Sequence, residues 1–339
     1  MLFLFPFIYV CHNGRRNSKG SESLKKILVT FVLTLVLAVA GCVLAAGYYL
    51  GNYLVGFGLA RGTAENPQAP PRAYALLMPP GTWNYTRPDA PSEEWVLESD
   101  DGLRLVATHF RPERATGNWV IVVHGYGCTQ ENSYYTAATY LAMGYDVVTP
   151  DLRSSGKSQG TFVTMGLDES KDVVQWARRI AETQKDARIV LHGVSMGAAT
   201  VMMASARDDL PSAVVACVED CGYTSAYDLL AYQMETSFHL PSFPGMNLLD
   251  WRCEQRAGFS LHQAAPVMAV RHANVPMLFI HGTKDTLVPP VMAEELYAAC
   301  TTEKKLLLVP DAIHSAASQQ DHDLYYRTVT DFLRGKVYE

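Results

Sequence analysis

The sequence predicts an α/β protein with a mostly parallel, twisted sheet, helices on both faces and a small helical lid, preceded by one transmembrane helix. Three observations carry this expectation. Beyond residue 94, short apolar runs of strand length alternate with longer segments of helical character, the pattern of strands returned to one parallel sheet through helices. Between residues 27 and 60 there is no charged side chain. Between Tyr223 and Asn274 the alternation gives way to a segment rich in Leu, Met, Tyr and Phe.

Composition removes several classes. Of the 339 residues, 48% are apolar and 18% charged, whereas disorder needs few apolar residues and many charges. Seven cysteines are too sparse for a disulfide scaffold. The net charge of -6 lacks the basic footprint of a nucleic-acid binder, so no nucleic-acid partner is expected. The charge is uneven. Arg15, Arg16, Lys19, Lys25 and Lys26 face only Glu22 within residues 1–60, and the remainder is acidic.

The first element is the apolar run 27–50, longer than the ~20 residues a spanning helix needs. A buried core helix is rarely apolar on every face for this length. A cleaved signal peptide carries an apolar region of only ~7–15 residues. Val39-Ala40-Gly41-Cys42 resembles a lipobox with Cys42 as the acylated residue. Yet the apolar run continues through residues 43–50, where a lipoprotein normally has a polar tether. An uncleaved signal anchor is therefore expected at the cell membrane. The basic flank places residues 1–26 in the cytoplasm and the body on the extracytoplasmic side. The apolar opening 1–10 is too short to span. Residues 51–93, with seven prolines between 61 and 94, read as an extended spacer. Residues 94–339 form the body, with a lid insertion over about 223–274.

Within the body, segments 95–98 and 103–110 flank Asp100-Asp101-Gly102, a hairpin signal. Segment 118–124 is nearly all apolar, as suits a strand buried on both faces. Further strands are expected at 146–150, 187–191, 213–218, 276–281 and 305–309. Helices are expected at 134–143, 168–183, 196–206, 290–300 and 321–333.

Gly193-Val194-Ser195-Met196-Gly197 lies directly between a strand and a small-residue helix, the setting of a nucleophile elbow. Such a turn exposes the Ser195 hydroxyl above the sheet and aims the Met196 backbone N–H at a developing oxyanion. His124-Gly125-Tyr126-Gly127 ends an earlier strand, where the second oxyanion donor arises; the Tyr126 backbone N–H is the candidate. His124 itself reads as structural. The serine needs a base and the base an orienting acid, in chain order serine, acid, histidine. Asp285 follows the strand 276–281, and His314 follows the strand 305–309. All three then sit at carboxyl ends of strands, where such sheets build their sites. Asp220 is the rival acid. Asp311 reads as a turn residue, His262, His272 and His322 as surface, and His192 and His281 as packed. No H-E-x-x-H or paired C-x-x-C motif occurs, so no zinc site is expected.

Together with Asp151-Leu152-Arg153-Ser154-Ser155-Gly156-Lys157-Ser158, these motifs make residues 94–333 resemble the α/β-hydrolase superfamily. The likeness is greatest to its membrane-anchored, small-lid branch of serine aminopeptidase and dipeptidyl-aminopeptidase relatives. Relatives read Asp-x-Arg-Gly-x-Gly-x-Ser in that loop, so Ser154 replaces a glycine. The resemblance implies serine-hydrolase chemistry with no metal or organic cofactor. It leaves the substrate open.

The expected activity is hydrolysis of short or medium acyl or aryl esters through an acyl-enzyme. Ser195, Asp285 and His314 are catalytic, and the amides of Tyr126 and Met196 form the oxyanion hole. The lid, running from Leu229 and Leu230 through Phe238, Phe243 and Trp251 to Phe259, would cover an apolar pocket. A peptidase is the enzyme alternative. It needs an acidic anchor for a substrate amine, with Glu169, Glu219 and Glu235 as candidates. A non-catalytic, membrane-tethered binding protein is the alternative from another class. Outside the cell, Cys128, Cys217, Cys221, Cys253 and Cys300 offer disulfide partners whose pairing sequence cannot assign.

Overall fold

The computed structural model describes residues 18–62, 66–77 and 86–338. The apolar opening 1–10, Arg15, Arg16, Pro79 and Pro80 lie outside the described residues. Two compact units are present, residues 1–49 and 50–339.

The first unit holds most of helix α1 (Ser18–Gly58). Its stretch Glu22–Gly58 is long and apolar enough to cross a membrane, with a mean hydropathy of 2.9 in its most apolar window. No side chain breaks the helix at Cys42.

The second unit begins with the last two turns of α1, and here the structure departs from the expected spacer. Val55 and Leu59 are fully buried in the body core. Gly51 allows this close packing: a Cβ there would lie 2.4 Å from Arg252 Cγ and 2.9 Å from the Leu248 carbonyl oxygen. Arg252 and Arg256 donate to the Asn52 side chain and carbonyl, both at 2.7 Å. Ala60 forms an isolated bridge to Phe162. Helix α2 (Tyr74–Leu77) also lies on the body. An apolar helix end and an intercalated glycine win over the proline content that predicts an extended spacer.

The body is built on eight strands: β1 (Ser92–Glu98), β2 (Arg104–Phe110), β3 (Asn118–Val123), β4 (Asp146–Asp151), β5 (Arg188–Val194), β6 (Val214–Asp220), β7 (Met277–Gly282) and β8 (Lys304–Val309). They lie in one sheet in the order β1-β2-β4-β3-β5-β6-β7-β8. The β1–β2 and β2–β4 pairs are antiparallel and all others parallel. The helices are α3 (Tyr134–Ala142), α4 (Leu167–Thr183), α5 (Met196–Ser205), α6 (Ala226–Thr236), α7 (Ser242–Ala257), α8 (Pro266–Ala269), α9 (Val291–Ala299), α10 (Ala317–Gln320) and α11 (His322–Leu333).

The twofold period of the strands sorts the core into two layers. Trp119, Ile121 and Val123 of β3 join Ile189 and Leu191 of β5 on the face covered by α4 and α5. Val120 and Val122 join Val190 on the opposite face, under Tyr140 of α3 and Val329 and Phe332 of α11. Residues 223–274 contain α6, α7 and α8, and Met246 and Leu249 of α7 pack into the first layer.

Candidate active site

Ser195 sits between β5 and α5 with φ 58° and ψ -119°, a backbone conformation sparsely populated by residues with a side chain. The two glycines of the pentapeptide make this turn possible. A Cβ on Gly193 would lie 2.1 Å from the Gly197 carbonyl oxygen, and a Cβ on Gly197 would lie 2.1 Å from that of Val123. The Ser195 N–H donates to the Asp220 carbonyl at 2.8 Å, so β6 holds the turn from its far side.

His314 Nε2 lies 2.9 Å from Ser195 Oγ, and His314 Nδ1 lies 2.7 Å from Asp285 Oδ2. An ionised carboxylate only accepts hydrogen bonds, so Nδ1 carries the proton. Nε2 is left as the acceptor for the serine hydroxyl. Asp285 Oδ1 accepts from the Leu287 and Val288 N–H groups, each at 2.9 Å. Burial opposes charge on Asp285. The hydrogen bonds from His281 and His314 outweigh it and hold the carboxyl well below its usual range.

The three residues follow β5, β7 and β8, so they meet along one edge of the sheet. The loop after β3 presses on the same point: a Cβ on Gly125 would lie 3.3 Å from Ser195 Cβ. Among the described residues, neither the Tyr126 N–H nor the Met196 N–H has a hydrogen-bond partner. The Tyr126 hydroxyl donates to the Gly58 carbonyl at 2.6 Å, tying this loop to the end of α1. His124 is buried and clamps the loop: its Nε2 accepts from the Leu152 N–H at 3.0 Å, and its Nδ1 donates to the Gly125 carbonyl at 2.9 Å. The Asp151–Ser158 loop keeps a left-handed backbone at Ser154, φ 61°, the conformation for which relatives use glycine. Arg153 fixes the loop to α4 through two 2.7 Å bonds to Asp172.

The rival residues lie elsewhere or are engaged. Asp220 Oδ2 accepts from the Tyr325 hydroxyl at 3.0 Å rather than from His314, and burial pushes its carboxyl up to about 6. Asp311 pairs with Lys284 on an exposed turn. His192 is buried between the Tyr140 and Tyr325 hydroxyls. His262 stacks on Tyr227, and His272 and His322 are exposed. Cys128, Cys217, Cys221, Cys253 and Cys300 carry free thiols. Burial raises the Cys128 thiol to about 11, so it remains protonated at neutral pH and is no rival nucleophile.

His281 is more than a packed residue. Its Nε2 lies 2.9 Å from the Val288 carbonyl and 3.3 Å from Asp285 Oδ2. A carbonyl accepts only, so Nε2 carries the proton and reaches Asp285 as well. Asp285 thus holds two imidazoles. Position alone, ahead of a strand-ending glycine, carried no sign of this second bond.

Behind them Glu219 is fully buried, with Oε2 accepting from the Gly222 N–H at 3.0 Å. Burial raises its carboxyl to about 8, opposed by His281. At Glu219 the folded protein therefore holds a proton that the unfolded chain loses between pH 4.5 and about 8. The contribution of Glu219 to stability should fall as pH rises through that window. Glu219→Gln keeps an oxygen for Gly222 and removes the titration. We expect the thermal midpoint to drop less from pH 5 to pH 8 in the variant than in the wild type; parallel profiles would contradict the assignment.

Two cavities meet at Ser195. The larger, ≈ 400 Å³, is lined by the lid, by Met196 and Tyr223, and by Tyr53, Leu54 and Phe57 of α1. No Asp, Glu, Lys or Arg is among its described lining residues. The smaller, ≈ 100 Å³, is lined by His124, Tyr126, Asn132, Thr136, Asp220, His314, Ser318 and Gln319, among others. Glu169 and Glu219 are buried away from both cavities and Glu235 is exposed.

Residues 132–338 match the model of the prolyl oligopeptidase family, a stretch that includes Ser195, Asp285 and His314. The chain is 27% identical over 240 residues to the uncharacterized protein YqkD of Bacillus subtilis, covering 70% of this chain and 78% of that one. It is 25% identical over 245 residues to an uncharacterized membrane protein of Saccharomyces cerevisiae, covering 72% and 80% of the two chains. Among solved structures it is similar to the Pyrococcus furiosus esterase Pf2001, with a TM-score of 0.59 and 22% identity over 75% of this chain and 94% of that one. It is also similar to a Pyrococcus horikoshii acylaminoacyl peptidase, with a TM-score of 0.57 and 18% identity over 75% of this chain and 43% of that one.

Proposed function

Given that the chain belongs to the prolyl oligopeptidase family of serine hydrolases, we propose that it cleaves carboxylic esters through Ser195, His314 and Asp285. Ser195 Oγ attacks the ester carbonyl carbon while His314 Nε2 takes the hydroxyl proton. The Tyr126 and Met196 N–H groups hold the oxyanion, and losing one such donor typically costs ~10²–10³ in rate. The carbon–oxygen bond then breaks, and His314 returns the proton to the departing alcohol. Water, deprotonated by the same histidine, releases the acid. Asp285 keeps Nδ1 protonated throughout, as its short bond to that nitrogen requires.

The observation that carries the ester reading is the larger cavity. It opens against Ser195 and offers, among the described residues, no carboxylate to hold a substrate amine. A peptidase remains the second reading, because the family model favours it. It would act on a peptide with a blocked, uncharged amino terminus, which needs no acidic anchor. The full-length protein should turn over p-nitrophenyl butyrate faster than aminoacyl, acetylaminoacyl or dipeptidyl anilides. The reverse order would move the protein to the peptidases.

The N-terminal helix supports an uncleaved, single-pass anchor with the body on the extracytoplasmic side, since its last turns pack into the body and the basic residues precede its apolar run. Protease added to intact cells should then remove the body; protection until the membrane is opened would reverse the orientation.

A further inference from the structure

We infer that the natural substrate is a long-chain acyl ester of a small, uncharged, hydroxylated alcohol, a monoacylglycerol-like lipid taken from the membrane that holds α1. The inference rests on the serine-hydrolase reading above and adds the class of substrate.

Proton delivery decides which half of the ester lies where. His314 must protonate the departing oxygen, so the alcohol occupies the cavity that His314 lines, and the acyl chain occupies the other. The acyl side is ≈ 400 Å³ and apolar, with Leu229, Met234, Met246 and Leu249 of the lid and Tyr53 and Phe57 of α1 in its lining. That is within the range of sites that bury a drug-sized molecule, ~300–1,000 Å³, and more than an acetyl group would fill. The alcohol side is only ≈ 100 Å³. It carries the neutral polar side chains of Asn132, Thr136, Ser318 and Gln319, and buried Asp220, whose Oδ1 has no partner among the described residues. These suit hydroxyl groups. No Lys or Arg is among its described lining residues, so a phosphate would be left without a countercharge.

The wall of the acyl side includes residues that follow the apolar run directly in sequence. Tyr53 stands on α1 three residues beyond Leu50, where the apolar run ends. One helix thus supplies both the apolar run and part of the cavity wall. Tyr53, Leu76 and Leu240 line the cavity while remaining 60%, 66% and 55% exposed. Large apolar side chains held open at a rim suit contact with acyl chains better than with water. In the reaction the bond from acyl carbon to glycerol-type oxygen breaks, the acyl carbon bonds to Ser195 Oγ, and the serine proton leaves on the alcohol. Water then yields the fatty acid.

The test uses the full-length protein in detergent with p-nitrophenyl esters from acetate to dodecanoate. It then uses dioleoylphosphatidylcholine vesicles with and without 1-monooleoylglycerol. Each buried methylene should raise kcat/KM about fourfold until the cavity is full. Oleate should appear only when monooleoylglycerol is present. Leu230→Trp, which adds bulk at the cavity wall, should lower the dodecanoate-to-acetate ratio of kcat/KM at least tenfold. If acetate is hydrolysed but kcat/KM is flat or falls with chain length, the hydrolase reading stands and the lipid inference fails. Release of oleate from phosphatidylcholine alone, or none from monooleoylglycerol, also overturns it. If no ester turns over and a fluorophosphonate leaves Ser195 unmodified, the hydrolase reading itself has failed.

Discussion

Ser195→Ala is expected to lower kcat for p-nitrophenyl butyrate by about 10⁶-fold, the scale seen when a triad nucleophile is removed. The loss should be purely chemical. Alanine keeps the Cβ and removes only the hydroxyl that bonds to His314. The strained φ at this position is retained, so the thermal midpoint should stay close to that of the wild type. Activity within tenfold of wild type would remove Ser195 from the mechanism.

Asp285→Asn should cost about 10⁴-fold in kcat, chiefly by inverting the histidine tautomer. An amide presents an N–H₂ group that can face His314 Nδ1. Nδ1 would then become the acceptor, and Nε2 would carry the proton and could no longer take one from Ser195. The substitution also takes the negative charge away from His281, which reaches the same carboxylate from the other side. A pH–rate profile separates the two effects. The tautomer argument predicts that activity in the variant partly recovers at high pH, where hydroxide can replace the missing base. A variant retaining more than a tenth of wild-type kcat near neutral pH would show that Asp285 does not orient His314.

The parts of the candidate site that are legible in the sequence are those in which backbone geometry dictates residue type. Gly193 and Gly197 flank Ser195 because any side chain would strike a carbonyl oxygen at 2.1 Å. Asp285 and His314 follow strands that the apolar runs 276–281 and 305–309 announce, and strand ends in a parallel sheet converge on one edge. The β–α alternation is legible for the same reason: strands buried on both faces carry unbroken apolar runs, as in residues 119–123 of β3 and 277–280 of β7.

What escaped the sequence depends on contacts between distant segments. Hydropathy marks where α1 is apolar, but a window average does not say that Val55 and Leu59 turn into the body core. The cue was Gly51, whose meaning appears only once α7 lies against it. The prolines of 51–93 suggested a spacer, yet Tyr74 and Leu77 line the smaller cavity. Ser154 replaces the glycine that relatives carry in this loop. It adopts the left-handed conformation all the same, with its hydroxyl donating to the Phe162 carbonyl at 2.7 Å. The bond from His281 to Asp285 spans one strand end and its loop, and a histidine before glycine carries no mark of it.

Every step of the proposed hydrolysis depends on Ser195 being an activated nucleophile. Mass spectrometry of the full-length protein after treatment with a fluorophosphonate tests this most directly. One adduct is expected, on the peptide containing Ser195, absent from the Ser195→Ala protein and strongly slowed in His314→Ala. No adduct on folded wild-type protein, or an adduct that persists in Ser195→Ala, would contradict it.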